Sequence, residues 1–339
     1  MAAKPASGIT SFARWGASLL FVLLLPAHAA VLRGDDAVGT EHWLAFEENL
    51  GAGTLTVQVL GPVGSTGSVA VAGLAFLASY TIPAAGISTV TIPAAAILTT
   101  SDGVSTLAVE VTCDQPVVVY GLHIESVSSD SLLALPTSSL GVDYLVTTYS
   151  AGSFETQLAI VGTADGTGVD VTPSAAIGAH PAAVTYTLLL DRGDVYQGQS
   201  PGDLTGTTIS ATAPVAVFAG NVCANVPLGV GFCDHLAEQL LPVDALSSEV
   251  VVAPSATRTA PERVRLHAAT AGTSLTYTPV PAGAPSILDA NEFAEFLLSV
   301  PFAVSSQDAG HPIEIARFAT GTETDNQPGD PYQANEPGT

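Results

Sequence analysis

Asp234, His235 and Glu238 are the cluster in this chain whose residue types and spacing invite acid–base or metal chemistry. The run Asp234 to Leu241 reads as a helical turn, which would set Asp234 and Glu238 on one face at i and i+4. A catalytic zinc site needs three protein ligands and an open position. No second histidine stands at motif spacing from His235. Asp234 also has a counterpart in Asp130, since each is followed by a Leu-Pro pair, Leu241-Pro242 and Leu135-Pro136. A position used twice reads as turn capping or buried hydrogen bonding, not as a single active site. The expectation is a chain that is not an enzyme, with no catalytic residues. Asp234, His235 and Glu238 are left as candidate cation ligands.

Other chemistry is sparser. Acidic turns at Asp165-Gly166, Asp191 to Asp194 and Asp325 to Asp330 could hold calcium through carboxylates and carbonyls. No twelve-residue calcium loop accompanies them, and turn geometry explains aspartate there equally well. Serine–histidine–aspartate order, a phosphate-binding glycine loop and a dinucleotide fingerprint are all missing, as is any Asn-x-Ser/Thr sequon. Cys223 and Cys233 flank a short loop containing Gly and Pro. Bridged, they would contribute roughly 2–3 kcal/mol by the chain-entropy estimate; the alternative is two buried thiols. Cys113 is left over and is expected to pack as a small apolar residue beside Pro116.

That pairing needs an oxidising compartment, and the first 29 residues supply the route. Lys4 and Arg14 form a basic segment, Leu19 to Leu25 an apolar core, and Ala27-His28-Ala29 a small-x-small cleavage site. Residues 1–29 are therefore expected to be a secretory signal, and the remainder secreted or at the cell surface. No later segment is long and apolar enough to span a membrane. Beyond residue 29 the chain keeps six basic residues (8 − 2) against 31 acidic ones, a net charge of −25 (6 − 31). Such a surface opposes nucleic acid and anionic membranes, and it keeps an exported protein dispersed.

The elements that must position these residues are strands. Short β-branched runs broken by Gly, Pro, Asp and Asn fill the chain, as at Leu158 to Val161 and Gly168 to Thr172 around Asp165-Gly166. Trp43 and Phe46 lie on an alternating run and read as core. Pro116, Pro214 and Pro312 stand 98 residues apart, each before an apolar run. At the same step, Leu190-Asp191-Arg192-Gly193-Asp194-Val195 aligns with Leu288-Asp289-Ala290-Asn291-Glu292-Phe293. Internal repetition of this length means a domain-sized unit used again. The expected fold is all-β, in tandem sandwich-like repeats of about 98 residues. A β-propeller-like arrangement of four-stranded blades is the alternative. Units of 39–141, 142–240 and 241–325 are expected, followed by a polar, disordered tail at 326–339.

The densest motif runs Asp203-Leu-Thr-Gly-Thr-Thr-Ile-Ser210, Pro214-Val-Ala-Val-Phe-Ala-Gly220, Cys223-Ala224, Val226-Pro227 and Cys233-Asp-His-Leu-Ala-Glu-Gln-Leu240. Gly39-Thr-Glu-His-Trp-Leu-Ala-Phe46, Val119 to Gly121, Ser129-Asp130, Ala134 to Pro136 with Leu140-Gly141, Thr163 to Val171 and Gly329-Asp-Pro331 accompany it. Together they resemble the N-terminal domain of the IgGFc-binding protein family, from about Gly39 to Pro331. The resemblance implies an extracellular, non-enzymatic binding or surface module. Its partner would be a protein or glycan, with immunoglobulin Fc the ligand that the family name suggests. Family domains continue past the Gly-Asp-Pro motif with more β-structure, whereas this sequence ends eight residues after Pro331. A passive structural component of a surface matrix is the second expectation. A metal-dependent hydrolase built on Asp234 and His235 is the third.

Overall fold

Pro116, Pro214 and Pro312 mark where the chain crosses from one β-sheet to the next. A computed structural model describes residues 37–51, 53–150, 152–256, 258–327 and 331–338. The proposed signal at 1–29 and most of Gly329-Asp-Pro331 lie outside these residues.

The first group of strands is β1 (Gly39–Leu44), β2 (Thr54–Leu60), β3 (Thr66–Val71), β4 (Phe76–Thr81), β5 (Ile87–Ile92), β6 (Gly103–Ser105), β7 (Val109–Ile124) and β8 (Asp130–Ala134). The second is β9 (Gly141–Leu145), β10 (Thr156–Gly162), β11 (Thr167–Thr172), β12 (Tyr186–Leu190), β13 (Val195–Ser200), β14 (Thr208–Ala224) and β15 (Asp234–Gln239). The third is β16 (Glu249–Val252), β17 (Glu262–Ala268), β18 (Thr273–Thr278), β19 (Ile287–Leu288), β20 (Phe293–Leu298), β21 (Phe302–Ser306), β22 (Ile313–Phe318) and β23 (Gln333–Asn335).

One pairing order serves all three groups. The front half of β7 takes β1 on one side and β3 on the other, with β4 outside β3. Its back half takes β2 and β8, with β5 outside β2. Strand β14 does the same with β9, β11 and β12 in front and β10, β15 and β13 behind. In the third group the long strand is divided: β21 carries β16, β18 and β19, and β22 carries β17, β20 and β23. Each group is thus two antiparallel sheets of four strands facing one another, with β6 of the first group added outside β13 of the second, a sandwich and not a ring of blades. Pro116 and Pro214 sit inside the long strands, at the handover between sheets, where no ladder N–H is required of them.

Cores follow from this arrangement. Leu55, Val57, Val69, Val109, Val111 and Val119 fill the first sandwich, and Val264, Leu266, Phe296 and Ile315 the third. Strand β10 is buried along its whole length. Its Leu158 and Ile160 join the second core, while Ala159 and Val161 join the first. That strand therefore has no solvent face, and its sequence is an apolar run, not an alternation. Trp43 and Phe46 are both buried in the first core.

Two expectations are corrected. Asp234 to Leu241 is not a helical turn: Asp234–Gln239 is strand β15, paired with β14 from Phe218↔Gln239 to Asn221↔Leu236 and, after a register shift, at Ala224↔Asp234. A Cβ at Gly220 would lie 1.7 Å from the Leu236 carbonyl oxygen, so glycine there permits the close approach. Part of the stretch read as a disordered tail is also strand. Gln333–Asn335 pairs with β22, and Gln333 is buried. Backbone pairing needs no apolar side chains, so polar composition hid it.

Candidate functional site

Strand β15 carries the three candidate cation ligands, and its alternation separates them. Asp234 and Glu238 fall on one face and His235 on the other. Asp234 accepts the backbone N–H of His235 at 2.9 Å, and the same N–H reaches the Ser128 hydroxyl at 2.8 Å. The His235 ring meets the Asn221 carbonyl through Nδ1 at 3.1 Å and packs edge-on against His123 at 5.5 Å between centroids. Burial, reinforced by His123, lowers His235 to about 3. Among the described residues no group of three His, Cys, Asp or Glu is placed to hold a metal ion. Asp130, at the matching position of β8, accepts the N–H of Ala237 at 2.9 Å and so ties the first sandwich to β15.

This contact encloses, beside Asp130 and Glu238, an acid that sequence reading passed over. Glu47 is 1% exposed, and neither carboxylate oxygen has a hydrogen-bond partner. Burial raises it to about 8. Burial likewise raises Asp130 to about 8, against the Ala237 and Ser131 N–H bonds that favour its charged form. Burial, then Asp130 and Glu336, push Glu238 well above the usual carboxylate range. Glu47 and His123 stand in no recognisable spacing, so only the depth of the Trp43–Phe46 run hinted at their surroundings.

Beside Glu238 the outer face of the first sandwich leaves a cavity of about 340 Å³. Val118 and Tyr120 of β7, Leu133 of β8 and neighbouring Leu135 make its apolar wall. Glu238, Gln239 and Asn335 supply its polar groups.

Cys223 and Cys233 are bonded to each other and close the loop between β14 and β15. Cys113 is free and half-buried, at the margin of the first core. The acidic turns spend their oxygens internally. Asp191 accepts from the Gly166 N–H at 2.8 Å, and Asp289, one 98-residue step later, accepts from Gly272 at 3.1 Å. Asp325 would be raised by burial, but the N–H groups of Ala260, Thr259 and Gln327 and the Arg258 guanidinium hold it well below the ordinary range.

The Asp203-Leu-Thr-Gly motif serves the other contact, between second and third sandwiches. Asp203 Oδ1 accepts from Thr148 Oγ1 and Thr205 N, both at 3.0 Å. Its Oδ2 meets Arg265 Nη1 at 2.8 Å. Arg265 also binds Glu295 at 3.0 Å and lies over the rings of Tyr149 and Phe293. Thr147 donates to Glu314 at 3.1 Å, and Glu314 stands 3.3 Å from His267.

Comparison with known proteins fits this construction. The family model described as "IgGFc binding protein" matches residues 130–339. Human IgGFc-binding protein is 30% identical over 233 residues, 66% of this chain and 4% of that protein. The chain thus spans a small fraction of that relative's length. Among solved structures, a Ca2+-stabilized adhesin that helps an Antarctic bacterium bind ice aligns over 88% of this chain and 73% of its own, at 14% identity and a TM-score of 0.16. A 1.5-MDa bacterial ice-binding adhesin aligns over 85% and 91%, at 10% identity and a TM-score of 0.15. Scores this low carry no argument about fold or ligand. The match over residues 130–339 covers the strand β15 motif and both Arg265 and Asp203, and the chain belongs to the IgGFc-binding protein family.

Proposed function

We propose that this chain is an exported binding or adhesion module that acts without a catalytic step on an extracellular protein or glycan, with immunoglobulin G Fc as the first candidate. The family match carries the reading. Three sandwich units, near 39–141, 142–240 and 241–325, would present their connecting loops as the recognition surface, since loops on rigid β-scaffolds carry binding. All five arginines of the described residues are engaged in ion pairs, so the outer surface is left acidic and suits a basic patch. No helix among the described residues is long and apolar enough to cross a membrane. Calorimetric titration of the mature chain with Fc at physiological salt tests the reading. Saturable heat that weakens as salt rises is expected; no heat would retire the Fc assignment.

The outer strands favour a second reading, a self-associating matrix component. Strands β4, β12 and β19 hold equivalent edge positions. They expose Leu77 at 69%, Leu189 at 72% and Ile287 at 58%. Unblunted edges invite strand-to-strand pairing. Light scattering separates the two: growth of oligomers with concentration supports the matrix, and a monomer supports the soluble binder.

A further inference from the structure

Where the second sandwich meets the third, four buried side chains stand together whose chemistry could join them. They are Thr147 just past β9, His267 of β17, Glu314 of β22 and Gln333 of β23, none more than 4% exposed. The Thr147 hydroxyl donates to Glu314 Oε2 at 3.1 Å and lies 3.4 Å from His267 Nδ1. His267 Nδ1 stands 3.3 Å from the same carboxylate oxygen. A hydroxyl on a carboxylate that a third group holds in place is an arrangement that activates a nucleophile. Gln333 brings an amide to the same threonine, its Nε2 donating to the Thr147 carbonyl oxygen at 3.1 Å. His267 Nε2, Glu314 Oε1 and Gln333 Oε1 are all buried without a partner. Unmet polar atoms are costly to bury, and three gathered at one place call for a reason beyond packing.

We propose that the folded chain modifies itself here, joining Thr147 Oγ1 to Gln333 Cδ through an ester bond. Side-chain rotation within this contact carries Oγ1 onto Cδ. As Oγ1 attacks, its proton passes to the Glu314 carboxylate. The Cδ–Nε2 bond then breaks, the proton moves on to the leaving nitrogen, and ammonia departs. The atoms balance with the two side chains as the only reactants. His267 is a positioning residue that keeps the carboxylate turned to Thr147. An amide resists an alcohol in free solution, but holding the pair together is worth an effective concentration of roughly 10⁵ M or more. Burial also keeps out the water that would hydrolyse the ester. The bond spans 186 residues of sequence and fastens the third sandwich covalently to the second. It goes beyond the binding reading and stands whatever the ligand, because no partner takes part.

Mass spectrometry of the denatured mature chain tests it. The expected mass is about 17 Da, one ammonia, below that of the disulfide-bonded sequence. Cleavage after arginine frees 34–192, which holds Thr147, and 318–339, which holds Gln333. The two should be found as one species that hydroxylamine, which cleaves esters, takes apart. Thr147→Val keeps the side chain's shape without its hydroxyl, and Glu314→Gln removes the base. Both should show the full mass and two separate fragments. Thr147→Ser keeps the hydroxyl and should keep the link. A wild-type chain of full mass overturns the proposal, as do separate fragments from it, and neither result depends on whether a variant folds. Ammonia lost equally from Thr147→Val would put the reaction at another residue, and a link retained in Glu314→Gln would remove its base; either also overturns the proposal.

Discussion

The two contacts between sandwiches are made from opposite chemistry. Where the first meets the second, the buried Glu47, His123 and His235 and the half-buried Asp130 and Glu238 are shifted towards their neutral forms, the acids upward and the histidines downward. Where the second meets the third, Arg265 draws Asp203 and Glu295 into a charged network. Burial alone would raise Asp203, but Arg265 and the Thr205 bonds hold it below its ordinary value. One strand order therefore tolerates either solution. An ionised joint needs each charge matched, whereas a neutral joint needs a pH at which its groups can stay uncharged.

The largest effect should come from unmatching the charged joint. Arg265→Ala removes a buried guanidinium from between the half-exposed Asp203 and Glu295 and from over the Tyr149 and Phe293 rings, at a cost of about 3 kcal/mol from its charged hydrogen bonds and ring contacts together. Urea unfolding should show that loss; a shift under about 1 kcal/mol would mean that water replaces the guanidinium.

The neutral joint should answer to pH instead. Glu47 ionises near 8 when folded, against an ordinary value of 4.5. Its stabilising contribution is therefore full below about pH 4.5 and is lost as pH rises through 8. His235 runs the other way: its folded value of about 3 lies below 6.5, so its contribution is present above pH 6.5 and fades as pH falls. Glu47→Gln should match wild type at pH 4 and exceed it at pH 9 by an order of a few kcal/mol. Equal urea midpoints at pH 9 would show that the Glu47 carboxylate finds solvent.

A change at the Cys223–Cys233 loop should fall between the charge effects and the surface ones. Cys223→Ser with Cys233→Ser releases a loop of ten residues' separation, for a loss of roughly 2–3 kcal/mol. The pair lies at the start of β15, so the loss should appear first as weaker hydrogen-exchange protection of Asp234–Gln239. Uniform loss across the chain would place the loop outside that local unit.

These joints also explain what could be read in advance. Gly, Pro and Asp turn signals located the strands because each turn is local chemistry, as at Asp191-Arg192-Gly193-Asp194. The proline step located the handover between sheets, because a missing N–H is tolerated only where no ladder needs it. Strand β15 was misread because Asp-His-Leu-Ala-Glu-Gln has helical composition, and its strand form comes from β14 alongside it. Cys223 and Cys233 were legible as a pair from their short separation. Glu47 and His123 were not, because their burial depends on a sandwich more than a hundred residues away, and no local spacing records it.

The sharpest contrast lies between two arginines that each join neighbouring sandwiches. Arg192 reaches from the turn after β12 to Glu41 and Glu110 of the first sandwich and lies 4.9 Å over the Trp43 ring. It occupies the position taken by Ala290 one 98-residue step later. Its side chain is 42% exposed, against 7% for Arg265. The carboxylates themselves are equally open, Glu41 and Glu110 at 28% and 27%, Asp203 and Glu295 at 29% and 27%, so the contrast lies in the two guanidiniums and the rings they cover. Arg192→Ala should cost about 1 kcal/mol or less, and the ionic part of that cost should shrink in 1 M salt, where screening extends to roughly 3 Å. Most of the Arg265→Ala cost should persist at the same salt, because that guanidinium is buried and packed over the Tyr149 and Phe293 rings. Parallel urea titrations of both variants at low and high salt would decide it. A salt-independent loss at Arg192 would mean that its ring contact with Trp43, not its charge, closes the first joint.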